Sequence, residues 1–146
     1  MERRRFIRTC SYATIGVPIF GAALVSCGSI HYATSTRNEN KLLIARLEFL
    51  QVKKNKTVVR DRVLVRSEAF KFPICVNRIS EEEYSAVLLE CTHRGCELNV
   101  GGGIYSCPCH GSEFSKNGEV LEGPAEQDLL IFRTGTDNEN IYIYLS

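Results

Sequence analysis

The hydrophobic residues of this chain fall into short runs separated by polar turns. In residues 42–52 the charged Arg46 and Glu48 alternate with Ala45, Leu47 and Phe49, the two-residue period of a half-buried strand; a stretch this short also fits a brief helix. Lys53-Lys54-Asn55-Lys56 makes a solvated turn, and residues 57–65 form the next strand or pair of strands. Residues 72–77 and 84–90 read as two strands joined by the acidic stretch 80–83. The Gly101-Gly102-Gly103 turn leads into a short strand, Ile104-Tyr105-Ser106, and Asn117-Gly118 marks a hairpin before Val120 and Leu121. Residues 129–133 and 141–145 close the chain as a pair around the polar turn 136–140. With no long helix, internal repeat or low-complexity tract, the pattern predicts an all-β domain. Cys75, between Ile74 and Val76, is expected to behave as a small buried hydrophobe with an inert thiol.

The amino terminus departs from this pattern. Arg3-Arg4-Arg5-Phe6-Ile7-Arg8 precedes an apolar stretch at 12–25 that Gly16, Pro18 and Gly21 interrupt. The arginine run resembles a twin-arginine export signal, which carries proteins already folded around their cofactors. Leu24-Val25-Ser26-Cys27 resembles a bacterial lipobox, with Cys27 as the lipidated first residue of the mature chain. An uncleaved anchor helix is the alternative, although about fifteen apolar residues fall short of the roughly twenty that a span requires. Cys10 lies within the signal. Residues 28–40 are polar and small and read as a flexible tether in which His31 is solvated. The expected organisation is a signal at 1–26, a tether at 27–40 and one domain at 41–146.

Charge and length narrow the classes. The 146 residues carry a net charge of +1, and most of the positive excess sits in the first eight. From Cys27 onward fourteen basic and sixteen acidic side chains leave no basic face for nucleic acid.

The candidate chemistry lies in Cys91-Thr92-His93-Arg94-Gly95-Cys96 and, eleven positions on, Cys107-Pro108-Cys109-His110-Gly111-Ser112. Two Cys/His half-sites, each with a surplus cysteine, supply what a two-iron cluster needs when one iron takes two thiolates and the other two imidazoles. Cys96 and Cys109 are then free to pair. Four such ligands also suit tetrahedral zinc, though zinc sites seldom leave two cysteines unused in register.

The joined half-motifs resemble the Rieske iron-sulfur family, over roughly residues 72–145 and most densely over 91–125. The resemblance implies stacked antiparallel sheets with an inserted cluster-binding subdomain, one [2Fe-2S] cluster and one-electron transfer. It places Cys91 and Cys107 on one iron and His93 and His110 on the redox-active iron. It also implies a Cys96–Cys109 disulfide of the high-potential branch, which closes a loop of about thirteen residues, contributes roughly 3 kcal/mol, and requires an oxidising compartment. Ser112 matches a serine that bonds a bridging sulfide, and Gly123-Pro124-Ala125 matches the proline loop that covers the cluster from a third side. Two positions depart from the family pattern. Phe114 stands where that branch usually has a tyrosine whose hydroxyl bonds a ligand sulfur, which should lower the potential. Arg94 stands where quinol-oxidising members commonly carry leucine; its charge should raise the potential and oppose insertion into an apolar quinol pocket.

These features lead to the expectation of a membrane-tethered electron carrier in a bacterial cell envelope, facing the periplasm or exterior. Its partner would be a cytochrome or an exported oxidoreductase subunit, as in the arsenite oxidase type. The Rieske subunit of a quinol–cytochrome c reductase is the alternative, and a zinc-binding structural domain the third reading.

Overall fold

The structure, a computed structural model, describes residues 30–146. The signal, Cys10 and the lipobox cysteine Cys27 lie outside the described residues. Thirteen strands follow in chain order: β1 Ser35–Asn38, β2 Lys41–Ala45, β3 Leu50–Lys53, β4 Lys56–Val59, β5 Arg62–Val65, β6 Ile74–Arg78, β7 Tyr84–Leu88, β8 Asn99–Gly101, β9 Ile104–Ser106, β10 Glu113–Ser115, β11 Val120–Glu122, β12 Ile131–Thr136 and β13 Asn140–Tyr144. A seven-stranded sheet has the order β1-β2-β13-β12-β7-β6-β5, a four-stranded sheet the order β11-β10-β9-β8, and β3 and β4 form a separate hairpin. All of these pairings are antiparallel.

Two cores explain the two kinds of strand pattern. Strands β5, β6 and β7 are covered on both faces, so they read as nearly unbroken apolar runs. Val63, Val65, Ile74, Val76, Ala86 and Leu88 enter one core with Phe49, Phe132 and Ile141. The intervening Leu64, Cys75, Val87 and the following Leu89 enter a second core with Tyr105, Phe114 and Leu129. Strands β2 and β13 bury one face only and keep the two-residue alternation, with Leu42, Ile44, Ile141 and Ile143 inside.

Asn77 joins the sheets. Nearly fully buried on β6, its amide donates to the Tyr105 hydroxyl of β9 at 2.7 Å and to the Lys116 carbonyl at 3.2 Å. A buried polar side chain is tolerated at this position because these acceptors satisfy it.

Two expectations need correction. Residues 42–52 are not one strand: β2 ends at Ala45, a 3₁₀ turn occupies Arg46–Phe49, and β3 begins at Leu50. Tertiary contacts outweigh the alternation here. The Arg46 N–H donates to Glu139 O at 2.8 Å, its guanidinium reaches Asp137 O at 2.9 Å, and Phe49 turns inward to meet Tyr84 edge-on at 5.2 Å. The polar stretch at 28–40 is likewise not a free tether from Ile30 onward. The Leu64 N–H donates to His31 O and the Ala33 N–H to Leu64 O, at 2.9 and 2.8 Å, and β1 pairs with β2. Main-chain bonds hold this segment, so its side-chain composition gave no sign of them. His31 is half-buried against Glu48, whose carboxyl it holds below the usual range by a hydrogen bond.

Cys75 is fully buried, as its apolar neighbours suggested. Burial pushes its thiol up to about 11, against the hydrogen bond from Tyr105 and the charge of Arg62. The thiol stays neutral in the fold while an unfolded chain ionises it from 9.0 upward. The stability it contributes is therefore complete below pH 9 and is lost as pH rises toward 11. The loss is roughly 2–3 kcal/mol, since each pH interval of one between the two values is worth about 1.4 kcal/mol. Urea unfolding across that window should show this fall, and Cys75→Ala should flatten it; equal slopes would assign the loss to other groups.

Candidate metal centre

Two loops carry the chemistry, and their backbones are built alike. The first follows β7 and runs from Cys91 to Cys96; the second follows β9 and runs from Cys107 to Ser112. In each, the glycine four positions after the leading cysteine donates back to that cysteine's carbonyl, Gly95 to Cys91 at 2.8 Å and Gly111 to Cys107 at 3.0 Å. In each, the leading cysteine's own N–H donates to the residue five positions on, Cys91 to Cys96 O and Cys107 to Ser112 O, both at 2.8 Å. The glycines sit at φ of +69° and +83°, a conformation that side chains disfavour, which is why this turn has glycine twice.

The turns aim backbone N–H groups at sulfur. His93 and Arg94 supply them to Cys91, and Cys109 and His110 to Cys107. Burial raises the Cys91 thiol above its ordinary value. At Cys107 burial acts the same way, but the N–H of Cys109, the thiol of Cys91 and the N–H of His110 outweigh it and hold the thiol low. The two sulfurs are hydrogen-bonded neighbours. Both belong to the second core, with exposures of 2% and 4%.

The imidazoles of His93 and His110, one from each loop, meet with ring centroids 4.9 Å apart at an interplanar angle of 83°. Nδ1 of His93 is buried with no hydrogen-bond partner, the single such side-chain nitrogen or oxygen among the described residues. A polar atom is rarely buried in this way unless something else is meant to bind it.

Cys96 and Cys109 form a disulfide that ties the end of the first loop to the middle of the second. Its sulfurs lie within 4.8 Å of the Cys107 sulfur. On a third side stands the loop with the cis peptide Gly123–Pro124. Its Ala125 N–H donates to Ser112 Oγ at 3.0 Å, so the hydrogen of this buried hydroxyl remains available to an acceptor inside the site. Thr92 donates its hydroxyl to Gln127 O at 2.6 Å, fastening the first loop to the same segment. Sequence reading passed over Thr92, because nothing in the motif shows which distant carbonyl it reaches. Arg94 and His110 are exposed within the two loops.

The model of the Rieske [2Fe-2S] domain family matches residues 48–133. The chain belongs to the Rieske [2Fe-2S] family. The chain is 43% identical over 53 residues to the cytochrome b6-f complex iron-sulfur subunit of Synechococcus sp. (strain JA-2-3B'a(2-13)), covering 35% of this chain and 31% of that one. Against a subunit of the same description from Prochlorococcus marinus it is 42% identical over 55 residues, covering 36% of this chain and again 31% of the relative. The chain thus spans about a third of the length of these curated relatives. The crystal structure of the cyanobacterial plasma membrane Rieske protein PetC3 from Synechocystis PCC 6803 is 36% identical, with a TM-score of 0.49 over 57% of this chain and 85% of that one.

The Rieske cofactor is one [2Fe-2S] cluster, and the residues present fit it. Two adjacent thiols with N–H groups turned toward them could take one iron. Two imidazoles, one with an orphaned inward nitrogen, could take the other.

Phe114 belongs to the second core, which also contains both candidate ligand cysteines, and is fully buried, with no donor on its ring. Phe114→Tyr is therefore expected to raise the reduction potential. A hydrogen bond to thiolate sulfur worth about 1 kcal/mol more in the reduced state corresponds to about 40 mV for one electron. A redox titration checks this, and no rise would show that the new hydroxyl fails to reach a ligand sulfur.

Proposed function

We propose that this chain is a membrane-tethered one-electron carrier working outside the cytoplasmic membrane, free-standing or as the small subunit of an exported oxidoreductase. The observation that carries the reading is the unpartnered, buried Nδ1 of His93, set beside the His110 ring on the loop that begins at Cys91. Cys91 and Cys107 would hold one iron, and His93 and His110 the other. When bound, the cluster supplies a one-electron acceptor of higher potential than an all-cysteine centre.

The chain's own residues set the conditions for that chemistry. The second core keeps water from Cys91 and Cys107, and the N–H groups of the two turns stabilise their thiolates. With Nδ1 of His93 turned inward, its Nε2 is the nitrogen left to take up a proton as negative charge arrives. His110, exposed to water, can do the same. Arg94 adds a cation near them. Ser112 would donate its free hydrogen to a cluster sulfur, with Gly123 and Pro124 holding the lid segment over it.

Residues 1–26 would serve as the export signal and Cys27 as the lipidated anchor. The Cys96–Cys109 disulfide supports an oxidising compartment. Among the described residues no helix is long and apolar enough to cross a membrane.

A second reading, the Rieske subunit of a quinol-oxidising cytochrome complex, is favoured by the names of the cytochrome b6-f relatives. Against it stands Arg94, exposed within the first loop, since an unpaired guanidinium is costly to insert into an apolar pocket. Quinol-dependent reduction of a complex that co-purifies with a cytochrome would decide for the second reading.

The test of the carrier is the paramagnetic spectrum of the anaerobically reduced full-length protein. Coupling to two histidine nitrogens is expected; zinc without acid-labile sulfide would establish the structural reading instead. In parallel, Cys27→Ser should release the protein from membranes, and continued retention would point to an anchor helix.

A further inference from the structure

The two cysteine loops hang from different sheets. The first leaves the seven-stranded sheet at the end of β7, whereas the second is strung between β9 and β10 of the four-stranded sheet. A two-iron cluster with ligands on both loops therefore spans the seam between the sheets, and the seating of one sheet on the other sets how its two halves are held. Apolar packing fills that seam, with Leu64, Cys75 and Val87 on one side and Tyr105 and Phe114 on the other. Burial of this kind favours contact without direction, whereas a hydrogen bond fixes distance and angle.

Asn77 supplies the direction. It is 3% exposed, and its amide nitrogen lies 2.7 Å from the Tyr105 hydroxyl, 3.2 Å from the Lys116 carbonyl and 3.3 Å from the Ser85 hydroxyl. Among the described residues its bond to Tyr105 is the one side-chain hydrogen bond from a strand of the seven-stranded sheet to a strand of the four-stranded sheet. Both contacts across the seam bear on the second loop. Tyr105 stands two positions before Cys107 and pairs with Phe114 across the base of that loop, and Lys116 directly follows β10. One amide thus holds the strand that enters the loop and the turn after the strand that leaves it, while none of its partners lies in the first loop. Core packing alone would not call for this amide. Exchanging a buried hydrogen-bonded group for an apolar one of similar shape is nearly neutral when the remaining polar groups find partners, and the Tyr105 hydroxyl already lies 3.4 Å from the Lys116 carbonyl.

We propose that Asn77 is a positioning residue for the cluster: through the Tyr105 hydroxyl and the Lys116 carbonyl it fixes the second loop, and with it Cys107 and His110, against the first. The inference rests on Cys107 and His110 being cluster ligands. The N–H groups of Cys109 and His110 are hydrogen-bonded to the Cys107 sulfur, and bonds of this kind help to set the potential of an iron-sulfur centre by stabilising negative charge on its sulfurs. A second loop that drifts from its seat lengthens them. The reduced cluster then loses more than the oxidised one, and the midpoint potential falls.

Three variants of the full-length holoprotein test this. Asn77→Leu keeps the bulk of the side chain and removes its hydrogen bonds, Tyr105→Phe removes the hydroxyl alone, and Ser85→Ala removes the amide's partner within the larger sheet and serves as control. Asn77→Leu should lower the midpoint in a redox titration and alter one of the two histidine nitrogen couplings of the reduced cluster while leaving the other. Hydrogen exchange locates the change. The Cys107 and Gly111 amides, bonded within the second loop at 2.8 and 3.0 Å, should exchange about tenfold faster as their seat loosens, while the Cys91 and Gly95 amides of the first loop match the parent. Tyr105→Phe should shift the midpoint in the same direction by less, and adding it to Asn77→Leu should change nothing further, because the two act through one contact. Ser85→Ala should match the parent throughout. Parent-like midpoint, couplings and exchange in Asn77→Leu overturn the proposal, as do changes shared equally by both loops, changes reproduced by Ser85→Ala, or shifts of Asn77→Leu and Tyr105→Phe that simply add. If Asn77→Leu does not load a cluster, the same measurements on Tyr105→Phe decide. A parent protein without two nitrogen couplings would instead sink the ligand assignment beneath the inference.

Discussion

Replacing His93 with cysteine is expected to lower the reduction potential by at least about 250 mV, from the range of histidine-ligated centres, about −150 to +300 mV, toward the −400 mV or so of all-cysteine ferredoxins. The cause is charge. A neutral imidazole leaves the oxidised site without net charge, whereas a thiolate makes it an anion that must accept a further electron in a buried setting. At about 59 mV per tenfold change for one electron, the shift amounts to roughly four orders of magnitude in the reduction equilibrium. The variant should also lose one of the two proton-accepting rings, so its potential should depend less steeply on pH. His110→Cys should behave similarly, although its ring is the more exposed of the two. An unchanged midpoint in a redox titration would remove the histidine from the ligand set.

The paired substitution Cys96→Ser with Cys109→Ser is expected to cost about 3 kcal/mol, because the disulfide closes a sequence separation of 13 residues. For a domain of this size that is a fall of about 10 °C in the unfolding midpoint. A second effect follows from position. The disulfide sulfurs lie within 4.8 Å of the Cys107 sulfur, so their loss opens one wall of the site, and visible absorbance of the cluster should bleach faster in air. Nitrogen coupling should persist, because no ligand is removed. Unfolding and bleaching that match the parent protein would show that the bridge is dispensable.

The sequence was most informative where one residue type has a single use. Cys91, His93, Cys107 and His110 stand out by identity and spacing; the structure pairs the His93 and His110 rings and ties the Gly123–Pro124 segment to Ser112 of the second loop. The central strands β5, β6 and β7 were legible because they are buried on both faces and carry hardly any polar interruption. What escaped depended on main-chain bonding or on long-range contacts. Residues 30–40 look like a linker by composition, yet they are held by backbone bonds to Leu64 and to β2 that any sequence could make. The alternation at 42–52 pointed to a strand, but the Arg46 guanidinium and the burial of Phe49 turn the chain instead, leaving Leu47 in water. The Thr92–Gln127 and Asn77–Tyr105 bonds join positions 35 and 28 residues apart, beyond the reach of any local pattern.

Cys91 and Cys107 are themselves members of the second core, and the first core contains no candidate ligand. Demetallation would therefore not be felt evenly. It would strand two ionisable thiols among apolar neighbours and loosen the small sheet, while the seven-stranded sheet keeps its own interior. Iron-sulfur insertion and the packing of the second core are thus coupled, so the folded state of the small sheet would report whether the electron-carrying centre has been installed.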